Sequence, residues 1–380
     1  MVKRICIFCD GTWNVLSAPQ PTNVVLAAQM VLPYGDDEVQ QLVYYRQGVG
    51  TSFLVNREWE TRLAGAFGLG LFENVAEAYR FLVFNYRTGD EIFIFGFSRG
   101  AFTARSLAGL IRKCGIVTPD RVAMVDKTLE LYRERGMDTH PDRDRAQRFR
   151  ADNSPEMIMK DLDRAWRQAN GISELYADVP NFTIKFLGVW DTVGALGIPK
   201  HLLLERLLRT SEENGFHDTQ LSTVIEAARH AVALDEDRRS FEPTLWDNLD
   251  DLNAVPGRSG NYRELWFPGD HGSVGGGGDI RGLSHAALLW VLEGAAAMGL
   301  GLDEAAMENV RRDIDPLAAL HNSTAPPGWF ERIYQRGSRT GPVDRARLSD
   351  STLARLGHSG AGWVPYRPAA IDALLRQLFP

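Results

Sequence analysis

Glu91-Ile92-Phe93-Ile94-Phe95, Gly96-Phe97-Ser98-Arg99-Gly100-Ala101 and Phe102-Thr103-Ala104-Arg105-Ser106-Leu107 follow one another without a break. The first run is an apolar stretch of buried-strand type, the second a Gly-x-Ser-x-Gly turn, the third a helix former. In this order they make a nucleophile elbow, which lifts a serine above the end of a sheet. Glycines on either side of the serine remove side chains that would collide in so sharp a turn. The helix that follows aims its first amides at the place where negative charge would gather. Ser98 is therefore the candidate nucleophile. A purely structural turn would explain the glycines but not the strand-to-helix setting.

Outward from this point, short apolar runs alternate with helical stretches. Ile5 to Cys9, Leu42 to Tyr45, Phe182 to Val189 and Leu265 to Phe267 read as strands. Asn23 to Leu32, Glu73 to Tyr86 and Ser284 to Met298 read as helices, the first capped by Thr22 or Asn23. That alternation predicts an α/β fold over residues 1–380: one domain with a central, mostly parallel sheet and helices on both faces. Loops at the carboxyl ends of the strands are where such a sheet places its site.

Residues 118–179 interrupt the rhythm with densely charged helical sequence, including His140-Pro141-Asp142-Arg143-Asp144-Arg145. A solvated insertion is the plain reading. Because it leaves just after the elbow helix, a helical cap insertion over the site is the expectation. Around Pro199–Asn214, Leu202, Leu203, Leu204, Leu207 and Leu208 form an amphipathic patch, read as core packing with transient membrane-surface contact as the alternative. From Pro316 onward the chain is rich in Pro, Gly and Arg. This C-terminal extension, 316–380, is expected to pack on the domain.

The 44% hydrophobic and 24% charged content of the 380 residues is that of a globule with ample core. A net charge of −7 argues against general nucleic-acid binding, which needs a basic surface. Three cysteines are too few for a disulfide framework. Cys6 and Cys9 form a C-x-x-C, but an offset of three along a strand puts them on opposite faces, so buried thiols are expected rather than a metal or redox pair. Met1-Val2-Lys3-Arg4 runs straight into the first strand and no run of eighteen apolar residues occurs. The expectation is a product cytoplasmic as synthesised, exported, if at all, without a cleaved signal peptide.

A serine nucleophile needs a base, and the base an orienting acid. In α/β-hydrolases acid and then histidine follow the serine. Asp191, in Gly188-Val189-Trp190-Asp191-Thr192-Val193-Gly194, stands immediately after a strand, as does His271 in Trp266-Phe267-Pro268-Gly269-Asp270-His271. Of the other histidines, His230 and His285 fall in sequence that reads as helix; the remaining five lack a strand-end setting. For the oxyanion, the candidate donors are the amide of Arg99 and one from Gly11 or Thr12, in the loop after the first strand.

Phe8-Cys9-Asp10-Gly11-Thr12-Trp13-Asn14, Gly96-Phe97-Ser98-Arg99-Gly100-Ala101, Gly188 to Gly194, His230-Ala231-Val232-Ala233-Leu234-Asp235-Glu236, and Trp266 to His271 with Val274-Gly275-Gly276-Gly277 all occur, spanning Ile5 to Gly277. Jointly they resemble the bacterial and fungal α/β-hydrolase family that includes the phospholipase effectors of type VI secretion. The resemblance implies Ser98 as nucleophile, Asp191 as acid, His271 as base, an ester or lipid substrate with phospholipid the characterised class, and no cofactor. One departure stands out: where the family typically carries an aspartate two residues after the histidine and an aromatic after the glycines, this chain has Ser273 and Gly278. Asp270 and Asp279 are the residues at hand to compensate.

Three rival readings were weighed. Asp10-Gly11-Thr12 is like the aspartyl phosphatases, but the nucleophile's position two residues earlier is Phe8, which cannot attack phosphorus. Gly65-Ala66-Phe67-Gly68-Leu69-Gly70 and Gly275–Gly278 lack the glycine order or P-loop lysine of a phosphate cradle. A hydrolase scaffold used only for binding or regulation would not need all three triad residues at strand ends. The reading is thus a serine hydrolase of carboxylic, foremost lipid or phospholipid, esters, with a small-molecule carboxylesterase as the alternative.

Overall fold

The computed structural model describes residues 2–11, 19–48, 63–134, 136–172, 179–194, 220–321 and 336–379, with backbone alone at 63–71 and 240. Six strands form one parallel sheet: β1 Lys3–Cys9, β2 Gln40–Arg46, β3 Glu91–Phe97, β4 Ile184–Trp190, β5 Ile225–Ala233 and β6 Tyr262–Phe267. Their order is β2-β1-β3-β4-β5-β6 and every pairing is parallel. This is the α/β-hydrolase arrangement, with the chain reversing direction across the sheet between β2 and β3. Strands buried on both faces carry near-continuous apolar runs, which is why Ile5 to Cys9 and Ile92 to Phe95 were legible without alternation.

The two faces divide the core. Ile5, Ile7 and Cys9 pack with α2 (Leu63–Asn85) and α3 (Arg99–Cys114) on one side. Cys6 and Phe8 pack with α1 (Asn23–Met30) and the helix Gly282–Ala297 on the other. The two cysteines therefore do lie on opposite faces, buried and unpaired. Thr22 caps α1, its hydroxyl accepting from the Val25 amide at 3.3 Å. A third cluster joins Val232, Leu234 and Trp266 to Leu348, Leu356, Tyr366, Ile371, Leu374 and Leu375, so the C-terminal extension packs on the β5–β6 edge of the domain.

One expectation needs correction. His230 lies in β5, not in a helix. The run Ile225 to Ala233 is alanine-rich and reads as helical by propensity, but burial between two layers of helices makes it a strand. The inserted helices α4 (Val125–Arg133), α5 (Asp144–Asn153) and α6 (Asp161–Ala169) dock at the far end of α3. Arg150 donates to the Lys113 carbonyl at 3.0 Å and pairs with Asp163, while Lys113 donates to the Glu134 carbonyl at 2.8 Å. Lys113 stands fifteen residues along from Ser98, about 22 Å at 1.5 Å per residue. Among the described residues these contacts brace the end of α3 remote from Ser98. The leucine patch around Pro199–Asn214 lies outside the described residues.

Candidate active site

Ser98 sits between β3 and α3 with φ 58° and ψ −125°, a backbone conformation that a non-glycine residue adopts only under strain. What imposes it is packing from both sides. A Cβ on Gly96 would meet the Ala101 Cα at 2.7 Å, and one on Gly100 would meet the Asp10 carbonyl oxygen at 2.5 Å and the Cys9 carbonyl more closely still. The start of α3 is thus pressed directly onto the end of β1. The Ser98 amide donates to the Trp190 carbonyl at 3.0 Å, continuing the β3–β4 ladder one step beyond the strand and tying the Ser98 turn to the Asp191 loop.

Asp191 follows β4 directly, is fully buried, and also has positive φ, 37°. Its amide donates to the Ala231 carbonyl at 2.7 Å, and its Oδ1 accepts from the Ala233 amide at 2.8 Å. The neighbouring Thr192 amide donates to His230 Nε2 at 3.1 Å, which leaves Nδ1 to donate to Glu264 Oε2 at 2.9 Å. The His230–Glu264 pair lies fully inside the protein and braces the acid loop from beneath.

His271 begins the short helix His271–Gly275, whose cap is Asp270: its Oδ1 accepts from the Ser273 amide at 2.8 Å. His271 Nδ1 lies 2.5 Å from Asp191 Oδ2 and Nε2 lies 2.8 Å from Ser98 Oγ. Those two contacts bring together all three residues singled out in the sequence. The imidazole is clamped between the rings of Phe97 at 4.6 Å and Phe241 at 5.0 Å. Gly275 can have no side chain, since a Cβ there would run into the Phe97 ring. The His271 amide donates to Glu236 Oε2 at 3.2 Å, and Glu236 is itself paired with Arg238 at 2.7 Å.

Arg339 is a member of the site that sequence reasoning missed. Its Nη1 donates to Asp191 Oδ1 at 2.6 Å and its Nη2 to Oδ2 at 2.9 Å, with further bonds to the Ala233 and Phe241 carbonyls. Its side chain is 2% exposed and that of Asp191 0%. Burial alone would push the Asp191 carboxyl up; Arg339, and then His271, outweigh burial and hold it far below the usual carboxylate range. The one signal in the sequence was the glycine bracket Gly337-Ser338-Arg339-Thr340-Gly341. A Cβ on Gly341 would meet the Ala370 carbonyl oxygen at 2.7 Å, so the bracket lets this segment lie close against other backbone.

For the oxyanion donors, Arg99 opens α3 directly after the nucleophile. The Gly11 amide donates to Asp10 Oδ1 at 2.7 Å, a carboxylate that also accepts from Thr22 Oγ1 at 2.8 Å and Tyr45 Oη at 2.7 Å. Thr12 lies outside the described residues. Ser273, in place of the family's usual aspartate, donates to the Leu320 carbonyl at 2.8 Å, and Asp270 reaches His321 at 3.1 Å. Burial opposes the Asp270 charge, but His321 and the Ser273 amide hold its carboxyl below the ordinary range. Among the described residues no group of three or more His, Cys, Asp or Glu could hold a metal, and no helix is long and apolar enough to cross a membrane.

The family model for the type VI secretion phospholipase effector Tle1-like catalytic domain matches residues 3–294. An uncharacterised protein of Saccharomyces cerevisiae is 29% identical over 250 residues, 63% of this chain and 32% of that protein. A crystal structure of an uncharacterised protein from Pseudomonas aeruginosa is similar at 17% identity and a TM-score of 0.43, over 83% of this chain and 49% of that one. The Tle1 effector bound to the VgrG spike of the type 6 secretion system is similar at 20% identity and a TM-score of 0.39, over 72% and 51%. The chain thus spans about a third of the yeast protein's length and about half of each solved chain.

Proposed function

Since the chain belongs to the Tle1-like phospholipase effector catalytic-domain family of type VI secretion, we propose that it hydrolyses carboxylic esters of lipids, phospholipids foremost, through an acyl-enzyme on Ser98. The observation that carries this reading is the unbroken path Ser98 Oγ, His271 Nε2, His271 Nδ1, Asp191 Oδ2, with contacts of 2.8 and 2.5 Å.

In the first step Ser98 Oγ attacks the ester carbonyl and passes its proton to His271 Nε2. The carbonyl π pair moves to oxygen, which the Arg99 amide at the start of α3 receives. The second donor is the amide of Gly11 or Thr12. The tetrahedral intermediate collapses, the ester C–O bond breaks, and His271 gives its proton to the leaving alcohol. Water then enters, loses a proton to His271 and attacks the acyl carbonyl; the second tetrahedral intermediate expels Ser98 Oγ, which takes the proton back from His271 Nε2 as the acid is released. Asp191 fixes the tautomer with the proton on Nδ1 and stabilises the imidazolium in both steps. Every proton and electron pair is handled by these groups and water.

Hydrolysis of p-nitrophenyl esters from acetate to palmitate, and of a mixed-acyl phospholipid, should be measured for wild type and Ser98→Ala. Fatty acid released from phospholipid by the wild type alone is the expected result. Turnover confined to short esters would make the chain a small-molecule carboxylesterase. Absence of any Ser98-dependent turnover would overturn the catalytic reading in favour of a binding scaffold.

A further inference from the structure

We propose that Arg339, a residue beyond the stretch matched by the family model, is a positioning residue that sets the acid limit of catalysis by fixing Asp191 and supplying its permanent counter-charge. The proposal rests on the hydrolase reading above, since it assigns Arg339 to the acid of that triad.

Both guanidinium nitrogens on the Asp191 edge are used, one on each carboxylate oxygen, and the same two nitrogens are fixed by the Ala233 and Phe241 carbonyls. The carboxylate therefore cannot rotate about its last bond, and Oδ2 stays aimed at His271 Nδ1. A bidentate planar fork does this in a way that a flexible ammonium does not.

The charge does a second job. The groups facing Asp191 are the Ala233 amide from the end of β5, His271 from the loop after β6, and Arg339 from the C-terminal extension. His230, which accepts from the Thr192 amide and is backed by Glu264, lies beneath the residue that follows Asp191. Glu236 faces the His271 backbone and is matched by Arg238. Arg339 is thus the cation bonded to the acid among the described residues. A fixed positive charge in a buried site opposes proton uptake by every neighbour, the Asp191–His271 couple included. Catalysis requires that couple unprotonated at Nε2. Arg339 accordingly extends activity toward lower pH.

The test is the pH profile of kcat/KM on p-nitrophenyl butyrate for the full chain, Arg339→Gln and Arg339→Lys, with Ser98→Ala as the blank. Arg339→Gln is expected to move the acid limb upward by about one pH unit or more, on top of a loss of about tenfold at the plateau from poorer aim. A parallel loss at every pH with an unmoved limb would show a merely structural role and overturn the proposal. Should Arg339→Gln not fold, Arg339→Lys carries the test, because it keeps the charge and loses the fork. Its limb should stay within about 0.3 unit of wild type while kcat falls; a limb that climbs a full unit, or an undiminished kcat, refutes the assignment. Turnover that survives Ser98→Ala sinks the hydrolase reading and this proposal with it. Ser98-dependent turnover with an unmoved limb sinks this proposal alone.

Discussion

Asp191→Asn should cost stability as well as activity, and the two losses should separate. The carboxylate accepts four hydrogen bonds, from the Ala233 amide, His271 Nδ1 and both Arg339 nitrogens, at 2.5 to 2.9 Å. An asparagine offers one acceptor oxygen and turns an NH2 toward donors, leaving Arg339 charged, buried and unpaired. Breaking a buried pair from one side costs about 3–5 kcal/mol, against a net stability of about 5–15 kcal/mol for a typical domain. Arg339→Gln alone should cost somewhat less, since Asp191 keeps the Ala233 and His271 bonds. The double variant carries no stranded charge, so its cost should fall short of the sum of the singles by about 1.5–3 kcal/mol. Turnover should behave differently. Asp191→Asn should lower kcat by about four orders of magnitude, and adding Arg339→Gln should recover none of it, because a neutral amide cannot stabilise imidazolium. Because the folded state depresses the Asp191 pKa, its stabilisation is complete above about pH 3.9 and fades only as pH falls toward the depressed value. Asp191's own titration therefore adds no pH dependence to the deficit between pH 5 and 8. Urea unfolding of the four proteins gives these numbers; costs that add to within about 0.5 kcal/mol would refute the reasoning.

Two further variants probe the elbow. Ser98→Ala and Ser98→Gly should both be inactive, and the glycine variant should be the more stable by about 1 kcal/mol, because φ 58° strains any residue with a Cβ; equal melting temperatures would argue that no strain is held there. Gly100→Ala must drive α3 away from the Cys9 and Asp10 carbonyls, costing about 1–3 kcal/mol and, through misplacement of Ser98, about a hundredfold in kcat/KM. Gly357→Ala, with nothing within 4 Å of the new methyl, is the neutral control, and a Gly100→Ala protein that matches it in unfolding and turnover would contradict the packing argument.

What the sequence made legible was whatever is local. A candidate residue at a strand end announces itself by the apolar run before it, and Ser98, Asp191 and His271 all do. Strand β5 was misread because Ile225 to Ala233 carries four alanines, and their helical propensity is overridden only by burial that no local pattern encodes. The contacts that the 118–179 insertion makes were out of reach for a related reason. Leaving the end of α3 fixes where the chain departs, while the buried Arg150–Asp163 pair and the Lys113 contacts decide where it settles. Arg339 was invisible because 148 residues separate it from Asp191, in a segment without periodicity. The engagement of the Gly11 amide by Asp10 was equally out of reach, since that turn is set by Thr22 and Tyr45 from two other elements.

The late position of Arg339 has a temporal consequence. A ribosome delivers Ser98, Asp191 and His271 in that order, and all three have left the exit tunnel before the residue that neutralises the acid is made. A nascent chain that folds early must hold Asp191 in its pocket without its counter-charge, a state that favours an open or protonated acid loop. Full assembly of the candidate site is thereby deferred until Arg339 has emerged. Products cut short before Arg339 carry Ser98, Asp191 and His271 but not the cation bonded to Asp191.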